Sequence, residues 1–194
     1  MPDFKVFDGH NDFLYRLLGA NRTRGTLWPI GDRSGHLDLP RMRRGGFVGG
    51  FFAIYVPSPP QEGVDFDAAM DSPPYDLPLP PPITYEAALG VAMAEAAHLR
   101  WMERASDGAF RVCTTGRELR RAIDEGVVAA IMHMEGAEAI DADLDALHVW
   151  HAAGLRSLGP VWSRPTAFGH GVPFRFPGDP DTGDGLTEAG HRLV

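Results

Sequence analysis

A continuous apolar run at residues 47–56 (Phe-Val-Gly-Gly-Phe-Phe-Ala-Ile-Tyr-Val) limits the folds open to this chain more than any other feature. It has no polar side chain on alternate positions, so it predicts a strand covered on both faces. Residues 127–135 form a second run of the same kind. Strands buried on both faces are typical of parallel sheets that carry helices on either side.

Helical patterns alternate with these strands along the chain. Two further strands are predicted at residues 4–10 and 155–162, and the first precedes an apolar spacing that suits a helix. The helices are predicted at residues 12–18, 37–42, 84–106, 115–124 and 143–153. This order predicts an α/β fold with a parallel sheet. No glycine-rich nucleotide-binding motif follows any of the strands, so a dinucleotide or P-loop site has no sequence support.

Four strands are half of what a (β/α)8 barrel needs, and such barrels usually take about 250 residues. Residues 187–194 read as a helix still in progress. We therefore expect residues 1–194 to be one partial domain, the N-terminal half of a (β/α)8 TIM-type barrel, apparently cut at residue 194. Residues 57–82 contain nine prolines and predict a long loop without regular structure. Glycine and proline predict another irregular loop at residues 159–185.

Composition narrows the classes of partner and metal site. The formal net charge is −8, which disfavours nucleic acid or an anionic membrane as the main partner. Cys113 is the only cysteine, so any metal must be held by His, Asp and Glu side chains. We find neither an N-terminal signal segment nor an apolar stretch of membrane-spanning length, and a cytoplasmic protein is the expectation.

His10 and Asp12 stand at the end of the first predicted strand. Side chains alternate along a strand, so the imidazole and the carboxylate project to the same side. One imidazole and one carboxylate at the carboxyl end of an apolar strand are suitable ligands for a Zn-like ion. The alternative is a structural histidine followed by an aspartate that caps the next helix.

Glu135 ends a buried strand in the same way, and Gly136 follows it with close access to the backbone. A carboxylate there could bridge two metal ions, which lowers the pKa of a shared water molecule. The alternative is a carboxylate favoured by the dipole of the following helix. If His10, Asp12 and Glu135 form one site, their ligand atoms should lie within about 6 Å of one another, because zinc–ligand bonds are near 2 Å.

Five segments in this order resemble the membrane (renal) dipeptidase family of zinc metallopeptidases. They are Phe7–Asp12, Gly46–Pro57, Met134–Gly136, Leu155–Leu158 and Gly185–Thr187. The similarity covers essentially the whole chain, and its motif order and spacing are more specific than the short His-x-Asp motif.

The resemblance implies a (β/α)8 barrel with two zinc ions that hydrolyses dipeptides, in some members those with a D-residue or a β-lactam ring. By motif match, His10 and Asp12 would bind the first zinc, and Glu135 would bridge it to the second and act in catalysis. The second zinc's two histidines, the substrate-binding arginine and the proton-transferring aspartate would all follow Val194. The resemblance further suggests a homodimer.

Two residues are candidates for the substrate pocket. Trp162 falls where a family member has a substrate-contacting histidine, so the chain departs from the family pattern there. His133 lies two residues before Glu135 and shares its strand face, which favours contact beneath the metal ligands; a buried core histidine is the alternative. The alternative to a hydrolase is a protein of a different class, a catalytically inactive truncated or structural half-barrel.

Overall fold

The computed structural model describes residues 4–20, 24–31, 34–60, 63, 65–179, 181 and 183–194. The strands are β1 Val6–Asn11, β2 Phe47–Tyr55, β3 Tyr75–Leu77, β4 Phe110–Val112, β5 Val128–Glu135, β6 Leu155–Gly159 and β7 Phe174–Phe176. The helices are α1 Phe13–Gly19, α2 Arg24–Leu27, α3 Leu39–Arg44, α4 Phe66–Met70, α5 Tyr85–Ala105, α6 Gly116–Asp124, α7 Asp145–Ala153 and α8 Glu188–Leu193.

The main sheet has five strands in the order β1-β2-β5-β4, and β6 also pairs with β5. The β1–β2 and β4–β5 pairs are parallel, the second with Phe110 opposite Val128. Parallel strands must be joined by crossover connections, which the intervening helices provide. The predicted α/β fold with a parallel sheet is confirmed, and the two apolar runs are β2 and β5.

Contacts between Cα atoms divide the chain into two compact units. The first comprises Met1–Tyr55, Val91–Met134 and Val149–Ser157. Its core contains the fully buried ring of Phe110, which packs edge-to-face on Trp28 at 5.0 Å and on Phe52 at 5.2 Å between ring centroids. Offset and edge-to-face pairs are the favoured aromatic geometries, and they fix the relative position of these side chains.

The second unit comprises Val56–Gly90, Glu135–His148 and Leu158–Val194. It contains a two-stranded antiparallel sheet of β3 and β7, in which Tyr75 lies opposite Phe176. The boundary between the units falls within the residue ranges of β5 and β6.

The predicted helices are all present, with ends that move by one or two residues. Thr115 and Glu118 form the capping box at the start of α6: the Thr115 hydroxyl accepts from the Glu118 backbone N–H at 3.2 Å. The four-residue helix α2 was not predicted, since so short an element has no periodicity to detect. Among the helices of the described residues, none combines the length and apolarity that a membrane crossing requires.

The prediction that residues 57–82 and 159–185 lack regular structure is wrong in part. The first range contains α4 and β3, and the second contains β7. The prolines flank β3 at positions 73, 74 and 78 and leave its ladder intact. Because β3 and β7 are about a hundred residues apart in sequence, no local pattern reveals their pairing.

Candidate metal site

His10 on strand β1 and Asp12, the residue after the strand's last residue, lie close together. Both side chains are exposed to solvent, and His10 Nε2 lies 3.3 Å from Asp12 Oδ1. Asp12 precedes α1, yet its side chain makes no capping hydrogen bond. The alternative role of a helix-capping aspartate is therefore not what the structure shows, and the Asp12 carboxylate stays directed towards His10.

Asn11, between these two residues, is buried and was not singled out from the sequence. Its Nδ2 donates to Asp8 Oδ2 at 2.9 Å and to the Phe51 carbonyl at 3.1 Å. Its Oδ1 accepts from the Phe13 backbone N–H at 3.3 Å. One amide thus connects the end of β1 to β2 and to the first turn of α1, and it fixes the backbone from which His10 and Asp12 project.

Glu135 is the last residue of β5 and is half-buried. The next helix, α7, begins only at Asp145, so Glu135 does not lie at a helix N-terminus and the dipole alternative is wrong. One ligand atom from each of His10, Asp12 and Glu135 lies within 4.8 Å of the other two, the one group of this kind among the described residues. The predicted convergence within about 6 Å is found.

The donor set fits a divalent metal. Ligand atoms bound to one tetrahedral zinc at about 2.0–2.2 Å lie roughly 3.3–3.6 Å apart. The 3.3 Å between His10 Nε2 and Asp12 Oδ1 already has that spacing. An imidazole with two carboxylates suits zinc and also accepts other first-row divalent ions. The metal-ligand role of these three residues, and the catalytic role of Glu135, stay predictions.

His133 lies on β5 beneath His10. The two rings meet edge-to-face with centroids 5.8 Å apart, and His133 Nδ1 shares a 2.8 Å hydrogen bond with the Ser157 hydroxyl. Burial lowers the pKa of the His133 imidazole, and the nearby His10 lowers it further. His133 is thus a half-buried ring that packs against a proposed ligand; its contact with substrate stays a prediction.

Trp162 follows β6 and is partly exposed. Its ring packs edge-to-face on Phe174 with centroids 5.6 Å apart, and its carbonyl accepts from the Val172 backbone N–H at 3.0 Å. Its place in a substrate pocket stays a prediction.

A cavity of about 620 Å³ lies beside β1 and α1. His10 and Asp12 line it together with Tyr15, Arg16 and His36. Cavities of 300–1,000 Å³ are typical of small-molecule sites. This cavity therefore has room for a molecule the size of a dipeptide next to the two side chains.

The second unit also contains a buried ion pair that was not predicted from the sequence. Arg164 and Glu138 are fully buried, with 2.6 Å between Arg164 Nη2 and Glu138 Oε1. Each residue stands in a short irregular segment where no periodicity marks it as buried. The sequence offers one signal for this pair, which is position: Glu138 lies three residues after Glu135, and Arg164 lies two residues after Trp162.

Comparison with known proteins finds relatives along the whole chain. A family model described as membrane dipeptidase (peptidase family M19) matches residues 1–194. An uncharacterized protein in the PQQ-III 3′ region of Acinetobacter calcoaceticus is 36% identical over 193 residues, which are 97% of this chain and 58% of that protein.

Two crystal structures are similar throughout the chain. One is a dipeptidase described as an M19 metallo peptidase, 66% identical with a TM-score of 0.95, covering 99% of this chain and 54% of its own. The other is a metallo peptidase from Rhodobacter sphaeroides liganded with a phosphinate mimic of the dipeptide L-Ala-D-Ala, 66% identical with a TM-score of 0.94, covering 98% of this chain and 54% of its own. The chain thus spans a little over half the length of these relatives. With its whole length matched by the family model, the chain belongs to the membrane dipeptidase family.

Proposed function

We propose that this chain forms part of a metal-dependent dipeptidase that hydrolyses the peptide bond of dipeptides. The observation that carries the proposal is the convergence of His10, Asp12 and Glu135 within 4.8 Å. Family membership supports the same reaction class, since structures 66% identical to this chain are described as metallo peptidases.

His10 and Asp12 would hold the first zinc ion, and the Glu135 carboxylate would bridge it to a second. Zinc in such a site polarises a carbonyl and lowers the pKa of water. Asn11 holds the β1 end through its three hydrogen bonds, which keeps the His10 and Asp12 side chains oriented. Hydrolysis breaks the C–N bond and adds the elements of water, OH to the carbonyl carbon and H to the amine.

The proposed substrate is a dipeptide, as the ligand of the Rhodobacter sphaeroides relative suggests. The cavity beside His10 and Asp12 supports a substrate of that size. We propose that His133 and Trp162 contribute to the substrate pocket, that the active protein is a cytoplasmic homodimer, and that neither nucleic acid nor a membrane is its partner.

The test is dipeptide hydrolysis by the purified protein, stripped of metal and then supplied with zinc. We expect zinc-dependent turnover of dipeptides such as L-Ala-D-Ala when the rest of the barrel is present. Residues 1–194 alone should hydrolyse dipeptides negligibly, because the resemblance places the second zinc's histidines after Val194. Glu135→Gln keeps the size of the side chain and removes its charge, and we expect it to lower kcat at least a hundredfold.

Glu188→Gln is the matched control, because Glu188 is 95% exposed and lies in the same unit. It should leave turnover unchanged. Full activity of Glu135→Gln, or turnover that survives metal removal, would contradict the proposal. Tight zinc binding without turnover of any dipeptide would favour the inactive half-barrel.

A further inference from the structure

Arg164 holds together three segments that follow strands of the main sheet. Its Nε and Nη2 donate to Glu138 Oε1 at 2.9 and 2.6 Å, in the segment after β5. Its Nη1 donates to Ser58 Oγ at 2.7 Å, and Nη2 also donates to the Val56 carbonyl at 2.6 Å, both in the segment after β2. Arg164 itself belongs to the segment after β6. One side chain therefore fixes these three segments relative to one another.

Glu138 connects this ion pair to Glu135 through a tight turn. Gly136 has φ +81°, and a Cβ there would overlap Glu138 Oε2, so the carboxylate packs directly over the glycine. The Gly136 and Ala137 backbone N–H groups donate to the carbonyls of Gly159 and Pro160 at 3.1 and 3.2 Å. The backbone immediately after Glu135 thus has little freedom to move.

Arg164 connects the same ion pair to Trp162, two residues earlier. Val172 N–H donates to the Trp162 carbonyl, and Gly171 packs so closely that a Cβ there would lie 2.8 Å from the Arg164 carbonyl carbon. The second unit's two predicted site residues, Glu135 and Trp162, therefore each lie within three residues of one member of the ion pair.

Stability alone is a poor explanation for this pair. Burying two charges is costly, and apolar replacements of similar volume are often as stable or more so. Glu138 Oε2 is moreover buried and has no hydrogen-bond partner among the described residues, so the pair does not recover all of its desolvation cost. What the charged pair supplies, and apolar residues could not, is directed hydrogen bonding from the Arg164 segment to two other segments.

We propose that Glu138 and Arg164 are positioning residues: Glu138 holds Glu135 in its metal-binding orientation, and Arg164 holds Trp162 in place. The effect of the pair on zinc affinity rests on the proposed function. Its effect on the backbone of the two segments does not. Neither residue touches substrate; each acts through the backbone of the residue that it holds.

The experiment replaces the pair by apolar residues, Glu138→Met with Arg164→Met, in the purified full chain. Amide hydrogen exchange without metal should accelerate in residues 136–140 and 161–164 and stay unchanged in α6. Zinc affinity measured by calorimetry should fall roughly tenfold, the loss typical when support of a metal ligand is removed. Global loss of stability would instead accelerate exchange everywhere, so a merely structural role gives a different result.

The matched control is the exposed ion pair of the same unit, Asp76→Asn with Arg175→Gln, which should change neither readout. If the double methionine variant does not fold, Arg164→Lys serves instead: it keeps the charge but cannot hydrogen-bond to both of the other segments, and should show the same local exchange. Unchanged exchange at residues 136–140 in a folded variant overturns the inference. Faster exchange with unchanged zinc affinity overturns the positioning of Glu135. A wild-type protein that binds no zinc refutes the proposed function, while the exchange measurement still decides whether the pair positions these segments.

Discussion

The ends of β1 and β5 both supply proposed metal ligands, but they are held in different ways. At β1 the ligands His10 and Asp12 are exposed, and a neutral buried amide, Asn11, fixes the backbone between them. At β5 the ligand Glu135 is half-buried, and a fully buried ion pair fixes the turn that follows. The support is neutral at one strand end and ionic at the other.

The difference predicts unequal sensitivity. Removing a neutral amide breaks a few hydrogen bonds, whereas removing half of a buried ion pair leaves an uncompensated charge in the interior. The β5 end should therefore tolerate single substitutions less well than the β1 end, although both serve the same proposed site.

Arg164→Ala tests the ionic end and has the largest expected effect on stability. It leaves the Glu138 carboxylate buried and unpaired, which should lower the free energy of unfolding by about 3–5 kcal/mol. Urea denaturation followed by circular dichroism measures the change. Arg175→Ala, in an exposed ion pair, should cause almost none; equal losses in the two variants would show that burial of the pair does not matter.

Asn11→Ala tests the neutral end. It removes three hydrogen bonds and should lower the free energy of unfolding by about 1–3 kcal/mol, less than Arg164→Ala. The same variant should weaken zinc binding, because the β1 end loses its link to β2. A loss larger than that of Arg164→Ala in the same urea titration would reverse the comparison.

Thr115→Ala removes the N-cap of α6, at a distance in sequence from every proposed ligand. We expect it to lower the free energy of unfolding by about 1 kcal/mol. Calorimetric zinc affinity should not change. A weakened affinity would mean that general stability, rather than local support, governs the site.

Acidification of the Glu118→Gln variant gives the smallest expected effect. Hydrogen bonds from Thr114 and Thr115 lower the pKa of the exposed Glu118 carboxyl. Its contribution to stability is therefore present above the ordinary carboxyl range of about 4 to 5 and is lost as pH falls through the lower folded-state value. Wild type should be slightly more stable than the variant at neutral pH and equal to it in acid; a constant difference across a pH series of thermal melts would contradict this.

The sequence predicted those parts of the fold that local patterns encode. A local pattern marks each of the apolar runs of β2 and β5, the helix α5 and the Thr115–Glu118 capping box. Because His10, Asp12 and Glu135 stand at the ends of predicted strands, the sequence also predicted that they lie together. Pairings between distant segments were not predicted. The β3–β7 ladder joins residues about a hundred positions apart, and Arg164 and Glu138 look like ordinary surface charges until the fold brings them together.

The contacts of Arg164 with Val56 and Ser58 have a consequence for engineering. Both residues lie at the start of the long segment between β2 and α5, so Arg164 fixes the beginning of that segment. Closing a longer loop adds little entropic cost. A peptide tag or a small domain inserted between Ser58 and α4 should therefore leave Glu135 and its turn undisturbed, which makes this position a suitable graft site.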